Sequence, residues 1–257
     1  MDYIIICTVA FLVSGLTLFA GFGLGTMLLP AFALFFHIDI AIALTAVVHL
    51  LNNIFKLSLL GKHADKSVVL RFGIPAILTA YLGAKLLVAL SNLTPLYSYQ
   101  LFERQFQIMP VKLVIAVLMI IFALFEALPA LNRISFSKKM LPVGGILSGF
   151  FGGLSGHQGA LRSAFLLRVG LTKEAFIATG IVIACIIDVS RLFVYSGRFA
   201  SLNLQENYLL LIAATLSAFL GAYLGRRMLK KITMTFVQIT VSVLLFLIAA
   251  GLGMGII

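Results

Sequence analysis

Apolar runs long enough to cross a bilayer recur from one end of this chain to the other, and that fact limits the fold more than any motif does. A helix needs about 20 apolar residues to cross a hydrocarbon core roughly 30 Å thick. The runs 40–60, 72–90, 111–128, 175–195, 208–224 and 236–257 are of that kind. Only helices and closed barrels satisfy their backbone inside lipid, and runs of this length are helical. The chain is 62% hydrophobic and 11% charged over 257 residues, with mean hydropathy +1.16. A soluble fold of that size would need more polar surface to cover it. The longest polar stretch, Ser91 to Pro110, is too short for a separate soluble domain and reads as a loop.

Two of the apolar regions are broken by glycines in matching places. Ser148 to Gly170 reads SGFFGGLSGHQGALRSAFLLRVG, and Ser14 to Pro30 reads SGLTLFAGFGLGTMLLP. Each break is followed by a run of about ten residues, Met27–Phe36 and Ala160–Val169, too short to span as a helix. The matches continue residue by residue. Ser14-Gly15 pairs with Ser148-Gly149, Gly25 with Gly159 and Thr45 with Thr179, all at one offset. The stretch from Leu78 to Ala84 pairs with that from Leu216 to Ala222 a few residues further on. An internal duplication follows, with repeats 1–131 and 132–257 inside one membrane domain.

Charge then sets orientation. The net charge of +11 would suggest nucleic acid in a soluble protein, but more than half of the 19 Lys and Arg lie in the short connections 61–71, 132–139 and 226–231. That is the positive-inside pattern, so those loops are expected in the cytoplasm and nucleic-acid binding is excluded. Loops 91–110 and 196–207 carry only Arg104 and Arg198 and belong outside. For 132–139 and 226–231 to share a side, 140–170 must cross twice or not at all. A glycine-broken hairpin satisfies this, and 4–36 is its counterpart. The fold class expected is all-α and polytopic, with two inverted repeats, each a hairpin plus three transmembrane helices. The first residues carry Asp2 and no basic region, unlike a cleaved signal peptide. Cys7 and Cys185 lie inside apolar runs and suggest no disulfide.

Broken backbone in a membrane is tolerated where it lines a cavity or is buried in protein. The break at 152–159 would aim the N-terminus of the following half-helix inward, and a helix N-terminus favours anions. Gly156 and Gly159 allow a ligand to approach the backbone. Arg162, in the first turn, adds a planar donor suited to oxyanions, and Ser155, His157, Gln158 and Ser163 add further donors. On the next span of the first half, His49, Asn52, Asn53 and Lys56 share one helix face. Asn52 and Asn53 are expected to line the facing side of the site. So are Asp188 and Arg191, i and i+3 near the centre of 175–195, which could equally neutralise each other as a structural pair. His49 and Asp188 are candidates for proton coupling. Gly145, Gly149 and Gly153 have the spacing of close helix packing. The scattered histidines and cysteines give no metal-ligand spacing, and no cofactor, nucleotide-loop or zinc-protease motif is present. With no nucleophile–base pair, an enzyme is not expected.

These residues resemble the TauE/SafE family of membrane permeases, the sulfite and organosulfonate exporters. That family has two related halves, each opening with a glycine-rich element of the form G-x-x-x-G-x-G-G and a short run containing proline. Here the copies are Gly15 through Gly21, Gly23 and Gly25 to Pro30, and Gly149 through Gly152, Gly153 and Gly156 to Gly159. The second copy departs from the form, with Ala164 where a proline is expected and His157-Gln158 in place of glycines. The resemblance implies a multi-pass protein of the bacterial inner membrane that exports a small sulfur-containing anion, sulfite or a short organosulfonate. An anion channel of the same architecture, or a carrier of another small anion such as a carboxylate, is the alternative. The partners expected are that anion and the lipid bilayer; the sequence leaves the oligomeric state open.

Overall fold

The computed structural model describes residues 1–20, 24–101, 104–128, 135–199, 204–228 and 234–256. Among them are ten α-helices: α1 Asp2–Ala20, α2 Leu24–Ala33, α3 Ile38–Leu60, α4 Lys66–Ser91, α5 Pro110–Ala127, α6 Leu141–Ser155, α7 Gly159–Leu166, α8 Lys173–Phe199, α9 Leu204–Met228 and α10 Met234–Gly253. Helix ends follow local chemistry. Asp65 accepts the Val68 N–H at 2.9 Å and so caps α4. Proline opens both α5 and α6, where its missing N–H costs nothing. Gly156, at φ 80°, ends α6 in a left-handed turn that a side chain would resist.

Four helices hold stretches long and apolar enough to cross a membrane: Ile38–Ser58, Lys66–Ser91, Lys173–Gly197 and Asn207–Gly225. The other two expected spans hold shorter apolar stretches, Pro110–Phe125 in α5 and Ser242–Gly253 in α10. On α4 the exposed residues Leu70, Ile74, Leu78, Leu82 and Leu86 recur every fourth position, and on α9 Ile212, Leu216 and Leu220 do the same. Soluble monomers rarely present apolar faces of that extent. Lipid covers them, and the chain is a multi-pass membrane protein.

The stretch from Ser91 to Pro110, expected as a loop, instead carries a two-stranded antiparallel hairpin, β1 Tyr97–Leu101 and β2 Arg104–Ile108, with Tyr97 opposite Ile108. Alternation of Tyr97, Tyr99 and Leu101 with polar neighbours was the missed signal. Tyr99 stacks on Phe106 and donates to the Met254 carbonyl at 2.6 Å, tying the hairpin to the end of α10.

Glycines set the tightest helix contacts. A Cβ on Gly145, Gly149 or Gly153 of α6 would strike the Phe72, Ala76 or Ala80 carbonyl of α4. The same device joins α1 to α9, where Gly15 lies against Gly221 and Gly225. The packing reading of that glycine spacing therefore holds. α5 packs on α10, and α3 on α8.

The same contacts show how far each break penetrates. Gly153 is level with Ala80 and Leu154 with Gly83, while α4 continues to Ser91. The chain therefore turns back partway along α4. α7 is shorter than the expected Ala160–Val169. Its Phe165 and Leu166 pack with Val68, Phe72 and Leu141, at the starts of α4 and α6. The start of α6 and the end of α7 thus lie together beside the start of α4. α2 leads to the opposite end, where His37, Asp39, Ser91, Gln105, Gln107 and Lys112 line a cavity of about 470 Å³. Gly21 and Gly23 of the first break lie outside the described residues. Gly25 is described, and a Cβ there would lie 3.5 Å from the Gly156 carbonyl oxygen and 3.6 Å from the His49 ring. The two breaks meet in the interior.

Candidate functional site

Where the breaks meet, α3 and α8 bring a polar cluster together. Asp188 on α8 is its hub. One carboxylate oxygen lies 2.6 Å from His49 Nδ1 on α3. The other accepts Arg191 Nε at 3.0 Å, Arg191 Nη2 at 2.8 Å and Gln158 Nε2 at 3.1 Å. Gln158 in turn accepts Arg162 Nη1 at 3.0 Å on its Oε1. Arg191 Nη1 reaches the Gly152 carbonyl at 3.4 Å, so the same guanidinium ties Asp188 to the end of α6. Asp188 and Arg191 are fully buried, and Gln158 and Arg162 are 2% exposed. An ionised carboxylate only accepts, so against one the His49 proton would lie on Nδ1. The Asn53 amide nitrogen, a donor, also lies 3.4 Å from Nε2, the ring nitrogen then left to accept.

The other expected residues surround this chain of contacts. Ser155 donates to the Phe151 carbonyl at 3.0 Å, and its hydroxyl lies 3.2 Å from His157 Nδ1. The His157 ring stacks on Phe122 with centroids 5.2 Å apart, and its Nε2 has no partner among the described residues. Gly159 is the first residue of α7, and Ser163 is buried one turn later. Gln158 precedes α7 but makes no side-chain cap, because its amide is turned to Asp188 and Arg162. Asn52 accepts the Ser14 hydroxyl at 3.0 Å, and its amide nitrogen is unpaired among the described residues. The structure therefore brings His49, Asn53, Gln158, Asp188, Arg191 and Arg162 into one network. Ser155 and His157 form a separate pair against Phe122. The open cavity near His37 and Lys112 lies apart from both groups.

Two residues that sequence reasoning left out of the site belong to its walls. Tyr195 is buried and donates to the Gly153 carbonyl, bracing the last turn of α6. Its position, i+4 from Arg191 and i+7 from Asp188, puts it on their face of α8 and was the available signal. Ser148 donates to the Gln158 carbonyl at 3.0 Å and pins the turn between α6 and α7.

The charges do not balance. Among the described side chains, the basic residues Lys56, Arg162 and Arg191 are buried and Asp188 is the one buried carboxyl group. Unpaired buried charge is costly in low dielectric. An interior with surplus cations and orphan donors is therefore suited to hold an anion rather than a cation.

No curated protein and no solved structure matches the chain. The profile of the family described as "Sulfite exporter TauE/SafE" does match, over residues 6–252. A match of that extent, on a chain of buried cations and apolar helices, shows that this protein belongs to the sulfite exporter TauE/SafE family of membrane transporters.

Proposed function

We propose that the protein is a secondary transporter exporting a small sulfur-containing anion, sulfite or a short organosulfonate, from the bacterial cytoplasm across the inner membrane. The carrying observation is the surplus of buried positive charge beside the junction of the two breaks. In this reading residues 1–131 and 132–257 are inverted halves, each a hairpin and three crossing helices, and transport is by alternating access between them. The contacts support it. α4 meets α6 as α9 meets α1, which is the pairing that exchanging the halves would give. The α6–α7 hairpin opens toward one end of the helices, and α2 runs out toward the other.

Arg162 and the first turn of α7 would hold the sulfonate oxygens, with Ser155, His157, Gln158, Gly159 and Ser163 completing the shell. Asn52, Asn53, Asp188 and Arg191 would form the facing wall. His49 and Asp188, 2.6 Å apart, would couple a proton to the anion.

The test is counterflow of sulfite and ethanesulfonate in proteoliposomes, with acetate as the rival substrate. Saturable counterflow of the sulfur anions is expected for the wild type. Arg162→Ala is expected to lower it at least about a hundredfold while the protein still inserts. Wild-type rates in that variant would remove Arg162 from the site. Unsaturable flux without counterflow would make the protein a channel, and preference for acetate would reassign its substrate.

A further inference from the structure

The network around Asp188 consumes most of its own donors, but one face of α3 does not. Thr45, Asn52 and Lys56 stand at i, i+7 and i+11, within about 40° of arc and along about 16 Å of helix. All three are buried, at 1%, 0% and 4% exposure. Among the described residues, the Thr45 hydroxyl and the Asn52 amide nitrogen have no hydrogen-bond partner. Among the described residues no carboxylate forms an ion pair with Lys56. His49, which points to Asp188, lies on the same side of the helix, seven residues or about 10 Å before Lys56.

The corresponding positions of α8 show that this is not a general feature of the repeat. At the offset that pairs Thr45 with Thr179, the partners of His49, Asn52 and Lys56 are Ile183, Ile186 and Ser190. Thr179 accepts the Asp65 N–H at 2.9 Å, and Ser190 donates to the Ile77 carbonyl at 2.9 Å. The second half is apolar or satisfied where the first carries orphan donors. Nor is Lys56 simply a lysine reaching for the surface. Lys62 and His63, just beyond the helix end, are exposed, whereas Lys56 is enclosed. Keeping a buried lysine charged without a counter-charge is costly, so a ligand of opposite charge is its natural complement.

We infer that Thr45, Asn52 and Lys56 form an anion-binding face on α3, with Lys56 as its charge and the two neutral groups as its hydrogen-bond donors. This rests on the anion-transport reading and adds a second station to it. Arg162 serves the centre, and Lys56 serves the end of α3 that runs into the basic loop 61–71. For an exporter with that loop in the cytoplasm, this is where the anion is loaded. A lysine head, compact and free to rotate, suits a pyramidal or tetrahedral oxyanion without imposing one orientation.

The experiment is sulfite and ethanesulfonate binding to the purified full-length protein, by titration calorimetry and thermal shift, in wild type, Lys56→Met, Lys56→Arg, Thr45→Val and Arg162→Ala. Lys56→Met is expected to weaken binding at least about thirtyfold and to raise the ligand-free melting temperature, because it removes an uncompensated charge. Lys56→Arg should keep affinity within about tenfold, and Thr45→Val should weaken it several-fold. Wild-type affinity in Lys56→Met, with loss confined to Arg162→Ala, overturns this inference and leaves the transport reading standing. Wild-type affinity together with a lowered melting temperature also overturns it, since Lys56 would then be structural. If Lys56→Met does not insert, Lys56→Gln takes its place with the same outcomes. A wild-type protein that binds neither sulfur anion overturns the transport reading and this inference with it.

Discussion

Asp188 carries more of the interior than any other side chain described. It faces His49 from α3, Arg191 from its own helix and Gln158 from the turn before α7. Neutralising it should therefore be worse than removing an ordinary buried hydrogen bond. In Asp188→Asn the amide keeps the volume, but Arg191 and Arg162 lose their shared counter-charge inside the bilayer. A loss of about 3–5 kcal/mol is expected, read as a fall in melting temperature in detergent. Adding Arg191→Met to that variant should recover part of the loss, so the two changes will not be additive. An Asp188→Asn protein as stable as wild type would show that the pair is dispensable. Ionisable residues at mid-depth are rare, so His49, Asp188 and Arg191 were legible in the sequence as interior groups. Their partners were not. The His49–Asp188 contact joins positions 139 residues apart, and no periodicity within one helix reports on a crossing of two. Gln158 shows the same limit, since its type suggested a ligand donor and its bonds make it the link between Asp188 and Arg162 as well.

At the scale of elements, glycine decides which helices touch. The seam of α6 could be read from the four-residue spacing of Gly145, Gly149 and Gly153, because that spacing keeps three small residues on one face. Its partner could not, and the structure supplies α4. Gly153→Val would press side-chain atoms into the Ala80 carbonyl, where the obstacle is backbone and cannot swing aside. Loss of folded protein on expression is expected, because overpacking against backbone typically costs about 1–3 kcal/mol or more. Gly197, in α8, is the matched control, since nothing among the described residues lies within 4 Å of an added Cβ. Gly197→Ala should be neutral or stabilise by up to about 1 kcal/mol through helix propensity alone. Equal yields and melting temperatures for the two variants would refute the seam. The β-hairpin was hidden for a different reason. Its strands are short, and the surrounding run from Ser91 to Pro110 is polar, so alternation over five residues was outweighed by composition.

For the whole molecule, the arrangement that transport would need can be tested by sidedness. Six expected spans and two hairpins give a definite pattern of ends. Lys66 opens α4, Lys139 precedes α6 and Thr172 follows α7, and all three are exposed. If α6 and α7 form a hairpin that turns back inside the bilayer, these positions share the cytoplasmic side. Ser98 on β1 and His37 beyond α2 are exposed at the other end. In a background with Cys7 and Cys185 replaced by alanine, single cysteines at 66, 139 and 172 should react with an impermeant maleimide only after the membrane is opened. Cysteines at 37 and 98 should react in intact cells. The pair 139 and 172 is decisive, because a simple span between them puts the two labels on opposite sides. That result would remove the hairpin and with it the odd number of crossings per half, and two halves with an even count run the same way rather than inverted. Matching labels at 139 and 172, with 37 opposite, leave the two breaks entering from opposite faces and meeting at Gly25 and Gly156. In the proposed transport cycle, an anion held there would be reached from one side or the other as the halves move.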